Sequence, residues 1–403
     1  MKRMDYLKDK PVAVLGGGAT ARGHAACAAL AGREVRLYEL SDFFEGLGCI
    51  KDNREIRLSG IQESLYGFKR EGLAKIDVVT SDIEKAVKGA GIIVISFPAV
   101  GYKAFLENLV PHLEDGMVVH FTTANFGSLI MRKMMREAGC NKRVVIGEWS
   151  SQPYGIRIKS AGGQQMPEVS VNYWAISLRG AALPMTDQEE FFESKQYLPS
   201  LDSVVRPIRG DTVADIGFSN VNPILHCPGT ILGVGAMENW GVIYGESKYD
   251  FSIYSHAYCP SISKVQLALY REECSIAEAI GVGIQEFPED SFFSRSNILG
   301  SEHMGEKFKI PFDEQYKLAL GTGPFSIFNR YITEDIPVGC HIFWEFARKF
   351  GVKVPVIESM ITLASVMTGT DFWKKGVTLE DLGIGHMDKE ELNTYLREGV
   401  YRD

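Results

Sequence analysis

The sequence has no surplus of positive charge. Forty-three Lys and Arg face 51 Asp and Glu, a net charge of −8. No broad cationic face is expected, so nucleic acid and anionic membrane surfaces are excluded as partners, and an anionic substrate has to be met by individual cations. No apolar run reaches the roughly 18 residues of a membrane span. Met1 to Lys10 is charged and runs straight into an apolar strand without an h-region of its own, so no secretory leader is expected there. The seven cysteines, Cys27, Cys49, Cys140, Cys227, Cys259, Cys274 and Cys340, are scattered, with no C-x-x-C pair. That excludes a disulfide framework and a cysteine zinc site; no metal is expected, and reduced thiols in a cytoplasmic protein are. Tandem repeats and low-complexity tracts are also missing. What remains, at 45% hydrophobic and 23% charged, is an ordinary globular composition with length for two or three domains.

The most informative stretch is Val12-Ala-Val-Leu15-Gly16-Gly17-Gly18-Ala19-Thr20-Ala21. Four apolar residues run into three glycines, followed by helix formers from Gly23 to Leu30, which reads as buried strand, tight turn, helix. Gly16-x-Gly18-x-x-Ala21 is a dinucleotide-binding fingerprint with alanine in third place. The first glycine permits the turn, the second a close approach to pyrophosphate, and the small third residue the packing of helix on strand. The helix start, at Ala19, Thr20 and Ala21, offers N–H groups to the anion. A second strand, Glu34 to Tyr38, ends in Glu39, 21 residues beyond Gly18. A carboxylate there suits a ribose 2′-hydroxyl and repels a 2′-phosphate, so NAD is favoured, with NADP left open.

Strands and helices alternate onward. An irregular stretch is expected to about Lys75, then a strand at Asp77–Thr80, a helix capped by Ser81 or Asp82, and an apolar strand to Ser96. Phe97 and Pro98 then border the cofactor beyond a strand end, or Pro98 simply terminates the strand. A helix is expected from Tyr102 to Leu113 and a strand at Gly116–Phe121. The polar turn Thr122–Ser128 leads to a helix from Leu129, and Arg143–Gly147 is a further strand. Two more strands, Gly155–Lys159 and Val169–Leu178, and a sixth βα-type strand at Ser203–Ile208 complete a doubly wound sheet. Thr122, Thr123, Asn125 and Gln152 are neutral hydrogen-bonding candidates at the strand ends. Beyond residue 209 strand patterns nearly vanish, while helical periods mark Ser263–Ile280, Ile342–Phe350 and Val356–Val366. The expected architecture is an α/β Rossmann-type domain over 1–209 and an all-α domain over 210–403, with Phe287–Tyr316 a long loop.

The helical half opens with Asn220-Val-Asn222-Pro223-Ile-Leu-His226. Asn222 reads as an N-cap and Pro223 as the first helical residue, which places His226 one turn in. A histidine there can accept or return the proton that a C–O or C–N centre exchanges when its carbon trades hydride. Farther on, Asn329-Arg330-Tyr-Ile-Thr-Glu334-Asp335-Ile-Pro337 offers a guanidinium fork for a carboxylate, and Glu334 or Asp335 to orient the imidazole. Trp240, Tyr244, Tyr249, Phe251, Tyr254 and Tyr258 line a substrate pocket or form core.

These pieces, with Gln152-Pro153-Tyr154, resemble the opine dehydrogenase family, the NAD/NADP octopine/nopaline dehydrogenase group. The resemblance implies a Rossmann half and a helical half with the site between them. It also implies NAD(P)H-dependent reductive condensation of an amino acid with a 2-oxo acid such as pyruvate, through an imine. In that reading His226 is the acid/base, Asp335 its orienting carboxylate and Arg330 the clamp on the oxo-acid carboxylate. The partners implied are small molecules, and the resemblance leaves room for a homodimer. Two alternatives stand beside it: a 2- or 3-hydroxy-acid dehydrogenase of the Rossmann-plus-helical group, and a non-catalytic NAD(H)-binding protein. Many hydroxy-acid enzymes of that group use a lysine near the domain junction, and none occurs here from Asp211 to Ser247.

Overall fold

The computed structural model describes residues 3–60, 71–161, 164–204, 206–245, 247–293 and 322–402. The chain forms two compact units, Met1–Ile216 with Thr394–Asp403, and Gly217–Asn393.

In the first unit the strands are β1 (Val12–Leu15), β2 (Val35–Tyr38), β3 (Glu55–Gly60), β4 (Gly72–Lys75), β5 (Val78–Thr80) and β6 (Ile92–Ile95). They continue as β7 (Val118–Phe121), β8 (Val145–Trp149), β9 (Tyr154–Ala161), β10 (Gln164–Trp174), β11 (Ser177–Leu183) and β12 (Arg206–Arg209). Strands β1, β6, β7 and β8 are buried at every position, the signature of parallel strands covered on both faces. They build an eight-stranded sheet of order β12-β11-β8-β7-β6-β1-β2-β5. Only the β11–β8 pair is antiparallel. From the central β1 the chain builds outward through β2 and β5 on one side and β6, β7 and β8 on the other. The order therefore reverses between β1 and β6, the place where doubly wound sheets bind dinucleotides. The helix after β1, α1 (Ala19–Leu30), is mostly alanine and glycine on its buried side, so it can lie close to its neighbours. A Cβ on Gly23 would stand 2.7 Å from Ile156 Cδ1 and 2.8 Å from the Tyr154 hydroxyl.

Those two residues belong to a second, four-stranded sheet of order β4-β3-β10-β9. It corrects two expectations. The stretch after Glu39 is not irregular throughout: β3 and β4 pair antiparallel, with Ile56, Leu58 and Ala74 buried. The apolar run Val169–Leu178 is not one strand: β10 pairs with β9 and β3, whereas β11 joins the large sheet beside β8. The pairing of β3 with β10 joins residues more than 100 positions apart, and alternation within a short charged segment does not announce it.

The second unit is helical. Its main helices are α2 (Asn222–Leu232), α3 (Pro260–Ile280), α4 (His341–Phe350) and α5 (Pro355–Thr368). Among its described residues the β structure is confined to an isolated bridge between Ser252 and Gly323. No described helix is long and apolar enough to cross a membrane. Of the loop expected over 287–316, Glu289–Phe293 is a 3₁₀ turn and residues 294 onward lie outside the described set.

The units part at Ile216/Gly217 rather than at 209, and the last ten residues return to the first unit, which corrects their assignment to the helical half. Tyr395 and Leu396 are buried there, and Arg397 forks onto Asp211 through two 2.6 Å bonds. The later boundary rests on Asp215. Its buried carboxylate accepts from Arg179 Nε at 2.8 Å, Arg179 Nη2 at 2.7 Å and the Asp211 N–H at 2.7 Å. Asp215→Ala leaves the guanidinium unpaired and should cost about 3–5 kcal/mol. The denaturant midpoint of the first unit reads this; a change under about 1 kcal/mol would show that Arg179 finds water instead.

Candidate functional site

The glycine turn is built as its residue types require. Gly16 has φ +116°, donates its N–H to Tyr38 O at 2.8 Å, and leaves no room for a Cβ, which would stand 2.6 Å from the Ser96 carbonyl oxygen. Gly17 lies against Glu39, whose Oε2 would meet a Cβ at 2.8 Å. Gly18 differs: it precedes α1 in extended backbone, and a Cβ there would meet nothing within 4 Å. The helix therefore starts with free space before it and no capping side chain, which is the condition for seating a pyrophosphate. Thr20 is tied to the end of β6, Ser96 Oγ donating to its hydroxyl at 3.0 Å, and its carbonyl accepts from Tyr154 OH at 2.8 Å. Phe97 is half-buried and stacks on Phe105 with centroids 3.5 Å apart, while Pro98 is exposed and opens a 3₁₀ turn.

Glu39 stands at the end of β2, and burial raises its carboxyl pKa against the pull of N–H donors on Leu40 and Gly17 and of Arg22. Its Oε1 accepts from Leu40 N at 2.8 Å. A carboxylate has about four acceptor positions, so capacity remains for a ribose diol. Arg22 was not foreseen. Buried on α1, it donates to Gly17 O at 2.8 Å and Gly46 O at 3.1 Å, bracing the turn from behind. An arginine one turn into a dinucleotide helix gives no signal in a pattern of glycines.

Two of the strand-end candidates, Gln152 and Thr123, fall into one network. Gln152 Nε2 donates to Thr123 Oγ1 at 2.8 Å, and Gln152 Oε1 lies 3.3 Å from His24 Nε2. His24 Nδ1 is 2.6 Å from Ser200 Oγ. With Ser200 donating to Nδ1, the other ring nitrogen carries the proton to Gln152, and the amide passes the polarity to Thr123. Thr122 instead donates to Ile95 O at 3.0 Å. Asn125 is buried, its N–H held by Glu148 Oε2 at 3.2 Å. Glu148, also missed, is fully buried at the end of β8 and gathers the N–H and hydroxyl of Ser128 as well. Burial outweighs those bonds and lifts its pKa to about 7.

In the second unit, Pro223 stands in the first turn of α2 and His226 follows one turn in, as expected. The N-cap position is Val221, with Asn222 the first helical residue and Pro223 the second, and Asn220 Oδ1 just before the helix accepts from Asn222 N at 3.1 Å. Asp335 lies 109 residues later, in the segment between the short helix Arg330–Thr333 and a π-helical turn, Ile336–Cys340. Gly339 in that turn lets it press on α2: a Cβ would stand 2.5 Å from Pro223 Cγ. The result is a 2.6 Å bond between His226 Nδ1 and Asp335 Oδ2, both residues buried. The carboxylate can only accept, so Nδ1 carries a hydrogen and Nε2 is left for chemistry. Tyr331 stacks flat on the imidazole, centroids 3.6 Å apart and planes 9° from parallel. Nε2 lies 3.1 Å from the Tyr254 hydroxyl.

Arg330 keeps solvent access. Desolvation opposes its charge, but Glu334, then Tyr331, Asp335 and Tyr254, outweigh that and hold its pKa above the ordinary value. Of the six aromatics, Trp240, Phe251 and Tyr258 are core, Tyr244 and Tyr249 are exposed, and Tyr254 alone is bonded to the histidine. Among the described residues no group of His, Cys, Asp and Glu could hold a metal.

Two measurements check this geometry. Gly18→Ala adds a Cβ to the open space with no protein atom within 4 Å of it. It should weaken NADH binding at least about tenfold while moving the melting temperature by about 2 °C or less; equal loss of both would make Gly18 structural. His24 is buried neutral, its pKa lowered by desolvation to about 4, so the unfolded chain binds the extra proton below about pH 6.5. Its contribution is present above that pH and is lost as pH falls toward 4, by about 3 kcal/mol. His24→Gln should flatten the fall of the urea midpoint between pH 7 and 4.5; parallel curves for both proteins would contradict this.

Comparison with known proteins agrees with this construction. Residues 209–368 match the family model described as NAD/NADP octopine/nopaline dehydrogenase, alpha-helical domain. An opine dehydrogenase of Arthrobacter sp. (strain 1C) is 27% identical over 383 residues, 94% of this chain and 96% of that one. In fold, the chain is similar to octopine dehydrogenase solved with NADH and pyruvate, with TM-score 0.69, 19% identity, and 98% and 99% of the two chains covered. It is also similar to yersinopine dehydrogenase with NADP+ bound, with TM-score 0.66, 13% identity, and the same coverage. The likeness runs from the dinucleotide half through the helical half, and the chain resembles the opine dehydrogenase family along nearly its whole length.

Proposed function

We propose that this chain is an opine dehydrogenase, an NAD(P)-dependent oxidoreductase that condenses an amino acid with a 2-oxo acid and reduces the resulting C=N bond to a secondary amine. The observation that carries the reading is the 2.6 Å His226–Asp335 pair with Arg330 five residues before the aspartate. Bound NAD(P)H supplies the hydride; the open space at Gly18, the free start of α1 and Glu39 are the groups that would hold it, and Glu39 favours NAD over NADP.

The remaining chemistry is proton traffic and orientation. Asp335 fixes the imidazole as the Nδ1–H tautomer and stabilises the cation formed when Nε2 takes a proton. Neutral, Nε2 removes a proton from the attacking ammonium or from the carbinolamine. Charged, it returns one to the departing oxygen or to the substrate nitrogen. Arg330 grips the oxo-acid carboxylate in a two-bond fork, which orients the carbonyl. Gln152, Thr123 and Asn125 are proposed as neutral contacts to substrate from the first unit, held in place by His24 and Glu148. A cytoplasmic location is part of the same reading; it is supported by the scattered spacing of the seven cysteines, with no C-x-x-C pair.

NADH oxidation should require both a 2-oxo acid and an amino acid in a screen crossing the two. Consumption with the oxo acid alone would place the chain with the hydroxy-acid dehydrogenases. His226→Ala should lower kcat about 10²–10⁴-fold with NADH affinity kept within about twofold; no change in turnover would favour a nucleotide-binding protein without catalysis. Arg330→Ala should raise the oxo-acid KM about 10²-fold, with a smaller effect on the amino-acid KM.

A further inference from the structure

We infer that the Tyr254 hydroxyl is a catalytic residue in its own right, relaying protons between His226 and the substrate oxygen or nitrogen; this rests on the functional reading above.

The argument begins with what the imidazole can reach. Nδ1 is committed to Asp335, so a proton exchanged with substrate has to pass through Nε2. That atom is 3.1 Å from the Tyr254 hydroxyl. Tyr331 covers one face of the ring. His226 is buried, whereas Tyr254 is partly exposed. It also lies within electrostatic reach of Arg330, on the side where the oxo-acid carboxylate would be held. The titratable and charged groups placed near the phenol include His226, Arg330 and Tyr258.

Its mounting suits a fixed part. Tyr254 belongs to a π-helical turn, Ile253–Ala257, a rare element often found at functional sites. Its ring packs edge-on against Tyr258, 5.5 Å between centroids, and Tyr258 is buried with its hydroxyl donating to Leu225 O at 2.8 Å, one residue before His226. The phenol is thus referenced to the helix that carries the histidine. Swinging it aside would undo that packing.

A hydroxyl can donate and accept at once, and the condensation uses both properties. With the imidazole charged, Nε2–H donates to the Tyr254 oxygen. As the carbinolamine C–O bond breaks, the Tyr254 O–H proton passes to the departing oxygen, which leaves as water. The Nε2–H bond breaks and the phenol O–H is re-formed, so tyrosine ends unchanged and histidine ends neutral. The nitrogen lone pair forms the C=N bond. Deprotonation of the amine runs the same pair of transfers in reverse.

The test uses the full-length enzyme. Tyr254→Phe keeps the ring and its packing and removes only the hydroxyl. It should lower kcat about 10–100-fold, with NADH affinity and the oxo-acid KM within about threefold of wild type. Replacing Tyr254 with 3,5-difluorotyrosine, a more acidic phenol of similar shape, should preserve most of the rate and move the alkaline limb of the kcat–pH profile to lower pH. A purely structural role would not produce that displacement. A Tyr254→Phe rate within twofold of wild type, or a fluorinated enzyme with an unmoved limb, overturns the inference. Loss of the amino-acid requirement in the wild type overturns the functional reading instead. The same variants are then read on oxo-acid reduction, where a proton must still reach oxygen.

Discussion

The helical unit is organised by one buried bond, between His226 Nδ1 and Asp335 Oδ2. It joins segments 109 residues apart and holds both partners away from water. A buried pair of this kind is poor evidence of net stability, because desolvating two polar groups offsets most of what their attraction contributes. Its value is directional: an acceptor-only carboxylate leaves one tautomer, and that tautomer presents one nitrogen. Around it the structure arranges supports: Tyr331 flat on the ring, Gly339 clearing the approach to Pro223, and Asn220 accepting from the N–H of Asn222 at the helix start.

The first unit solves a different problem by the same economy. An anion has to be seated on an acidic protein, and the turn achieves it with backbone N–H groups and space. Gly16 supplies a backbone conformation and a missing Cβ, Gly18 supplies room, and Arg22 faces backward onto Gly17 O. Glu39 lies against Gly17 at the end of β2, where burial raises its carboxyl pKa. Glu148 holds the next turn by gathering N–H groups, and His24 holds Gln152, so the strand-end polar residues come already oriented.

Charge placement explains why burial is tolerated at these points. His24 and His120 are forced neutral inside the sheet unit, with pKa values lowered by desolvation to about 4 and about 3. Glu148 goes the other way and is raised to about 7. Arg330, by contrast, keeps solvent access and a cluster of acidic neighbours that hold its charge.

The sequence by itself determined what depends on neighbours in the chain: the strand–turn–helix of the cofactor half, the helical periods of the second, and the short segments holding His226 and Arg330 with Asp335. Backbone preference and hydrophobic period are local, so they can be read locally. The tertiary structure alone decided which distant groups meet. It paired β3 with β10, returned the final ten residues to the first unit, put Arg22 behind the glycines and Glu148 under the next turn, and brought Tyr254 to Nε2 across 28 residues of chain. Such contacts follow from the packing of whole elements, and a lone arginine, glutamate or tyrosine carries no periodic mark of the partner it will find.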